Sequence, residues 1–362
     1  MIYLDYQATT PLAPEAREAM LRWLDGPDGT GFGNPHSPHR MGRAAAAAVD
    51  IAREQVAALF PPGGRVIFTS GATEAINLAM RGTARAGDER PVAISAIEHA
   101  AVRDTAAALR VPVHELPVDG DGVIAADATW PDETRLVAVM QVNNEIGTVQ
   151  PVDAIARRAR AGGALMLCDA VQAAGRMKFA HADMIAVSAH KLHGPKGIGA
   201  LWVRDGVTLD PQITGGGQQD GMRSGTLSPA LCAGFGAAAA LAMTRMEEDA
   251  AHVRHLFDRA REWFAGWTLN GSEALRWHGN LNLRRDGLDV ARLMSEVREV
   301  AFSAGSACAS GSGRPSHVLQ AIGLTDTKAK QSIRLGFGRY TREEDLEHAA
   351  ASIRAAAKQQ GI

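Results

Sequence analysis

Short apolar runs rich in β-branched residues alternate with helix-like segments along most of the chain, and this alternation leaves few architectures open. Runs at 65–68, 91–95, 136–142 and 164–168 read as strands. Segments 44–59, 74–84 and 151–161 carry apolar residues at helical spacing. The pattern predicts an α/β fold: a mostly parallel sheet between helices, with ligands held at the carboxyl ends of the strands. A glycine-opened loop (215–226) leads into a long predicted helix, 229–264. Strands near 281–283 and 333–335 and helices near 290–297 and 343–358 then predict a smaller α+β unit. The 362 residues suffice for two domains. The expected division is 15–255 for the large domain, with 1–14 and 256–362 forming the small one.

Two more strand-like runs, 184–187 and 198–203, flank Ser188-Ala189-His190-Lys191-Leu192-His193-Gly194-Pro195-Lys196-Gly197. A lysine in a tight loop between buried strands is poorly explained as a solvated charge. It suits an amine at a cleft, where desolvation lowers its pKa and makes it a nucleophile toward carbonyls. The matching carbonyl partner is pyridoxal phosphate, which points to amino-acid chemistry.

Other segments supply what that cofactor needs. Thr69-Ser70-Gly71-Ala72-Thr73-Glu74 lies between a strand and a helix, where a helix N-terminus attracts phosphate; a simple helix cap at Ser70 or Thr73 is the competing reading. Asp169 ends a strand and can pair with a protonated pyridine nitrogen, or make local turn bonds instead. Gln172 can reach the ring's phenolic oxygen, or lie on an exposed helix. His99 can stack on the ring and shuttle protons. Either Asn143 or Asn144 can bond the ring oxygen; turn formation is the alternative. Arg334 sits in an apolar strand and needs a partner, either a substrate carboxylate or an internal salt bridge.

The chain contains three cysteines, too few and too scattered for a disulfide framework or a zinc site, and no metal is expected. A reducing cytoplasm is therefore the expected setting. Cys168 and Cys232 lie in apolar segments and read as inert core residues. Cys308 stands in a stretch of small residues from Ser303 to Ser316, which reads as an exposed, mobile loop carrying a reactive thiol. A net charge of −2 offers no basic patch for nucleic acid or an anionic membrane, and no apolar run is expected to span a bilayer.

Together these residues resemble the cysteine desulfurases of the NifS/IscS kind, within the class V, fold-type I pyridoxal-phosphate enzymes. The resemblance runs through Tyr3-Leu4-Asp5-Tyr6-Gln7-Ala8-Thr9-Thr10-Pro11, Gly33-Asn34-Pro35-His36-Ser37, the Thr69 and Ser188 motifs, and Val142-Asn143-Asn144-Glu145-Ile146-Gly147. It continues through Asp169-Ala170-Val171-Gln172, Gly221-Met222-Arg223-Ser224-Gly225-Thr226 and the Cys308 stretch. It implies a seven-stranded, mostly parallel sheet and conversion of L-cysteine to L-alanine, with sulfur left on Cys308 as a persulfide. By resemblance, Lys191 is the Schiff-base lysine, and Ser188, His190, Ala72 and Thr73 hold the phosphate. Asp169, Gln172, Asn144 and His99 surround the ring, while Asn34 and Arg334 bind substrate. The residue matching Thr226 reaches the partner's phosphate, which implies a homodimer. The sulfur would pass to an acceptor or iron–sulfur scaffold protein.

Gln218-Gln219-Asp220 departs from the usual Gln/His-Glu-Arg of this kind. Rival functions within the class are an aminotransferase, a selenocysteine lyase or an epimerase. A silent scaffolding subunit is the rival outside it. Transamination needs no loop thiol, and a silent subunit needs no intact Lys191, Asp169, His99 and Cys308.

Overall fold

A computed structural model describes residues 1–84, 87–305 and 315–362; Cys308 lies outside these residues. Its main sheet has seven strands, in the spatial order Gly64–Thr69, Gly199–Arg204, Met184–Ser188, Leu165–Asp169, Leu136–Ala138, Val92–Ser95, Val113–Leu116. All run parallel except Gly199–Arg204, which is antiparallel to both neighbours. The central parallel strands are near-continuous apolar runs because helices cover both faces, whereas the edge strand Val113–Leu116 is partly exposed. One core layer packs Val66, Phe68, Ala93, Val137, Met166, Ile185 and Trp202 toward the long helix. The other packs Ile67, Ile94, Leu136, Leu167 and Leu201 toward the helix Ala72–Gly82.

The expected strand at 136–142 ends as a regular strand at Ala138. The Val139 and Gln141 N–H groups nonetheless still donate to the Leu167 and Asp169 carbonyls. The strand Val113–Leu116 and the helices Pro14–Leu21 and Ala100–Ala108 were not anticipated; they are short and weakly patterned.

The long helix spans Pro229–Trp263, about 52 Å at the standard rise. Pro229 occupies its first turn and the Ser228 hydroxyl caps it by accepting from Leu231 N–H. By length and composition alone this helix could cross a membrane, but its apolar side chains pack inside the protein. Its many alanines, with Leu231, Cys232, Phe235 and Leu241, supply that hydropathy. Cys232, Phe235, Ala238 and Ala239 are buried, and the helix packs against Pro14–Leu21 and Arg40–Ala57.

A second sheet is antiparallel, in the order Ser303–Ala304, Ser332–Gly336, Asn280–Arg284, Thr268–Leu269. The first strand, Ile2–Tyr3, pairs in parallel with Val300–Ala301, and Asp5 bridges to Gly336. The chain's opening residues therefore belong with its late ones. Residues 5–10 continue from there across the carboxyl edge of the main sheet, where the site lies.

Candidate active site

Gly199 sets the site's geometry. It pairs with Thr69 on one side and Ser188 on the other. A Cβ there would meet the Val187 carbonyl oxygen at 2.5 Å and the Gly71 backbone at 2.7 Å, so only glycine lets the two turns lie side by side. The first turn, Ser70-Gly71, opens the helix Ala72–Gly82. The second is the 3₁₀ turn Ala189–Lys191. Between them and the ends of neighbouring strands is a cavity of about 410 Å³.

At one end, the helix begins at Gly71 with no side-chain cap, so its first N–H groups are open to an anion. Ala72, Thr73, Ser188 and His190 line this region. The His190 ring is held to Thr9 Oγ1 at 3.1 Å. Burial, then Lys191 and Lys196, push its pKa down to about 4, so it is neutral.

Asp169 lines the wall at the end of its strand, 5% exposed, with Oδ1 accepting from Val171 N–H at 3.0 Å. Burial raises its pKa, opposed by His99 and Lys191. Among the described residues no arginine or lysine forms a salt bridge with it, so this carboxylate fits a cationic ring nitrogen. His99 caps the helix Ala100–Ala108: its Nδ1 accepts from Ala101 N–H at 3.1 Å, which puts the ring proton on Nε2.

The asparagine alternatives separate. Asn143 is fully buried and builds the turn, donating to Ile97 O and accepting from the Glu145 and Ile146 N–H groups. Asn144 lines the cavity, its carbonyl held by Arg334 and Asn280 at 3.1 Å each. Gln172 is in a turn, not an exposed helix. It lines the cavity, donates to Gln7 O at 3.0 Å and accepts from Arg176.

The Lys191 amine donates to the Gln7 carbonyl and to the Ala8 carbonyl, the latter at 2.9 Å. Burial, with Arg176 and Arg334 adding, pushes its pKa down to about 8. For Arg334 the internal salt bridge is the alternative observed. It forms a salt bridge with Asp5 at 2.7 Å and also lines the cavity, while its Nε is buried with no partner among the described residues. Ser303 Oγ also bonds Asp5, at 2.9 Å.

Two expected residues are not part of this cavity. Asn34 is exposed and accepts from His36 N–H, and Thr226 is exposed on the glycine loop. Cys168 and Cys232 are fully buried, with burial pushing both thiols up, Cys232 to about 12. Sequence reading missed Asp5, Arg176 and the Gln7 and Ala8 carbonyls. The dense Tyr3 to Pro11 motif was the available signal for three of these.

A helix N-terminus, a buried carboxylate, a lysine of lowered pKa and an arginine thus surround one cavity. They suit a phosphate-bearing aromatic aldehyde together with an amino acid.

The aminotransferase class-V family model matches residues 2–348. The cysteine desulfurase IscS of Rickettsia akari (strain Hartford) is 42% identical over 372 residues, spanning 97% of this chain and 90% of its own length. The IscS of Shewanella piezotolerans is also 42% identical, with 97% and 91% covered. Among solved structures, a NifS-like protein superposes with a TM-score of 0.89 at 30% identity, covering 98% of each chain. SspA in complex with cysteine gives 0.82 at 33% identity, covering 94% of this chain and all of its own.

Proposed function

Because the chain belongs to the class-V aminotransferase family, within its cysteine desulfurases, we propose that it converts L-cysteine to L-alanine using pyridoxal phosphate. Sulfur remains on Cys308 as a persulfide for delivery to iron–sulfur cluster or thio-cofactor synthesis. One observation carries the cofactor part: Lys191, Asp169 and the uncapped helix start share a single cavity.

Lys191 would hold the cofactor's aldehyde carbon, Asp169 its ring nitrogen, and Ala72, Thr73, Ser188 and His190 its phosphate. Gln172 and Asn144 would flank the ring oxygen. When bound, the cofactor supplies an electron sink for charge left on the substrate's carbon skeleton. Arg334, which lines the cavity, grips the substrate carboxylate, while Asp5 fixes the guanidinium. Asn34 is assigned to substrate as well. Lys191 Nζ takes and returns the proton at the substrate's α-carbon. His99, its Nδ1 committed, exchanges protons through Nε2. The Cys308 thiolate attacks the substrate's sulfur: a sulfur–sulfur bond forms and the carbon–sulfur bond breaks. Its electron pair stays with the carbon, which is protonated to alanine.

Thr226 is offered to a partner's phosphate, so the working form is a homodimer. Residues 1–14 and 256–362 form the small domain, supported by the pairing of Ile2–Tyr3 with Val300–Ala301. A cytoplasmic setting belongs to the same reading, supported by the two buried free cysteines.

Mass spectrometry after incubation with L-cysteine should find one added sulfur on the Cys308 peptide. Cys308→Ala should keep the yellow cofactor and lose sulfide release. Turnover by that variant at the wild-type rate would sink the persulfide route. Asp5→Asn should raise KM for cysteine about tenfold with kcat little changed, because it loosens the carboxylate grip without touching the reacting atoms. Steady-state kinetics checks that split.

A further inference from the structure

Glu74 is the acidic residue in the first turn of the helix Ala72–Gly82. A carboxylate there occupies the field that a phosphate would use, and it repels the phosphate. Here it is answered by an arginine from the glycine loop. Arg223 Nε donates to Glu74 Oε1 at 2.7 Å and Nη2 to Oε2 at 3.1 Å, and Oε2 also accepts from Ser70 N–H at 2.7 Å. The Glu74 and Arg223 side chains are 17% and 19% exposed. Burial alone would raise the Glu74 pKa, but the bonds from Arg223 and Ser70 bring it below its ordinary value, so it stays ionised.

The loop carrying Arg223 is fastened independently. Gln219 pairs with the outer edge of the strand Gly64–Thr69 as a neighbouring strand would: Phe68 N–H donates to its Oε1 at 2.7 Å and its Nε2 donates to Phe68 O at 2.9 Å. Arg53 donates to the same Oε1 at 3.0 Å, and Gly225 N–H donates to Gln218 Oε1 at 2.7 Å.

We propose that Arg223 is a positioning residue for the cofactor's phosphate, neutralising Glu74 and holding the Ser70 turn through it, with Gln219 as the loop's anchor. The inference rests on the pyridoxal-phosphate reading. It names a role for the Gln219 departure: an amide can both donate to and accept from the Phe68 backbone, whereas a carboxylate can only accept.

The test titrates apo-protein with pyridoxal phosphate and, separately, with pyridoxal, following absorbance. Arg223→Gln should weaken pyridoxal phosphate binding about tenfold and leave pyridoxal binding unchanged. The double variant Glu74→Gln, Arg223→Gln should return to within about threefold of wild type, since the repelling charge is gone and Gln still accepts from Ser70. Arg223→Lys should fall between wild type and Arg223→Gln.

The proposal is overturned if Arg223→Gln binds both compounds as wild type does, or if the double variant binds more weakly than the single. It is also overturned if both affinities fall together with the unfolding temperature, which is what a purely structural role gives. Failure of wild type to capture either compound would overturn the cofactor reading itself.

Discussion

Lys191→Ala is expected to lower cysteine turnover by about a thousandfold or more and to leave a protein that borohydride cannot link to its cofactor. No other side chain of the site can substitute. Among the described residues the cavity's one other lysine is Lys196, which lies beyond the 3₁₀ turn, whereas the Lys191 amine meets the Gln7 and Ala8 carbonyls. The expected pH dependence follows from burial. An amine titrating near 8 is mostly charged at pH 7 and mostly neutral at pH 9. Capture of the cofactor by apo-protein should therefore quicken about tenfold per pH unit up to about 8 and level off above. A rate that climbs on toward pH 10.5 would mean the amine is ordinary. Stopped-flow absorbance measures it directly.

Asp169→Asn is expected to cost about a hundredfold to a thousandfold in turnover while the protein stays yellow. The carboxylate is buried, its cost opposed by the Val171 N–H, His99 and Lys191 and further by a cationic ring, and the amide cannot stabilise a protonated ring nitrogen. Colour depends on Lys191 and turnover on the ring's capacity to hold charge, so the two should part company in this variant. Full activity in Asp169→Asn would remove Asp169 from the chemistry. Visible spectra and alanine production, measured on the same sample, decide it.

Most of the large sheet was legible because its central strands are buried and therefore apolar, with turn residues between them; the exposed edge strand Val113–Leu116 carries His114 and Glu115 and gave no such signal. Lys191 and Asp169 stood out as charges at the ends of such runs. Strand direction was less accessible: nothing local in Gly199–Arg204 marks it as antiparallel, which follows from the short connection back from Ser188. The choice between Asn143 and Asn144 needed three dimensions, since both sit in one turn and only their partners differ. Arg176 and Asp5 were invisible as site residues because their importance lies in what they touch. Arg176 holds the Gln172 amide and the Lys191 carbonyl; Asp5 holds Arg334 across 329 positions. Asn34 and Thr226 matched motifs, yet their side chains face solvent in a single chain, so sequence alone identified their type but not their address.

The pairing of the chain's opening segment with its late strands also fixes when the site can exist during synthesis. Ile2–Tyr3 must wait for Val300–Ala301, and Asp5 for Arg334. The main sheet can form much earlier, since all its strands precede residue 205. A nascent chain can thus hold the turn of Lys191 in place while the segment that receives its amine still lacks its own strand partners. The last stage of translation completes both the substrate grip and the lysine's seat.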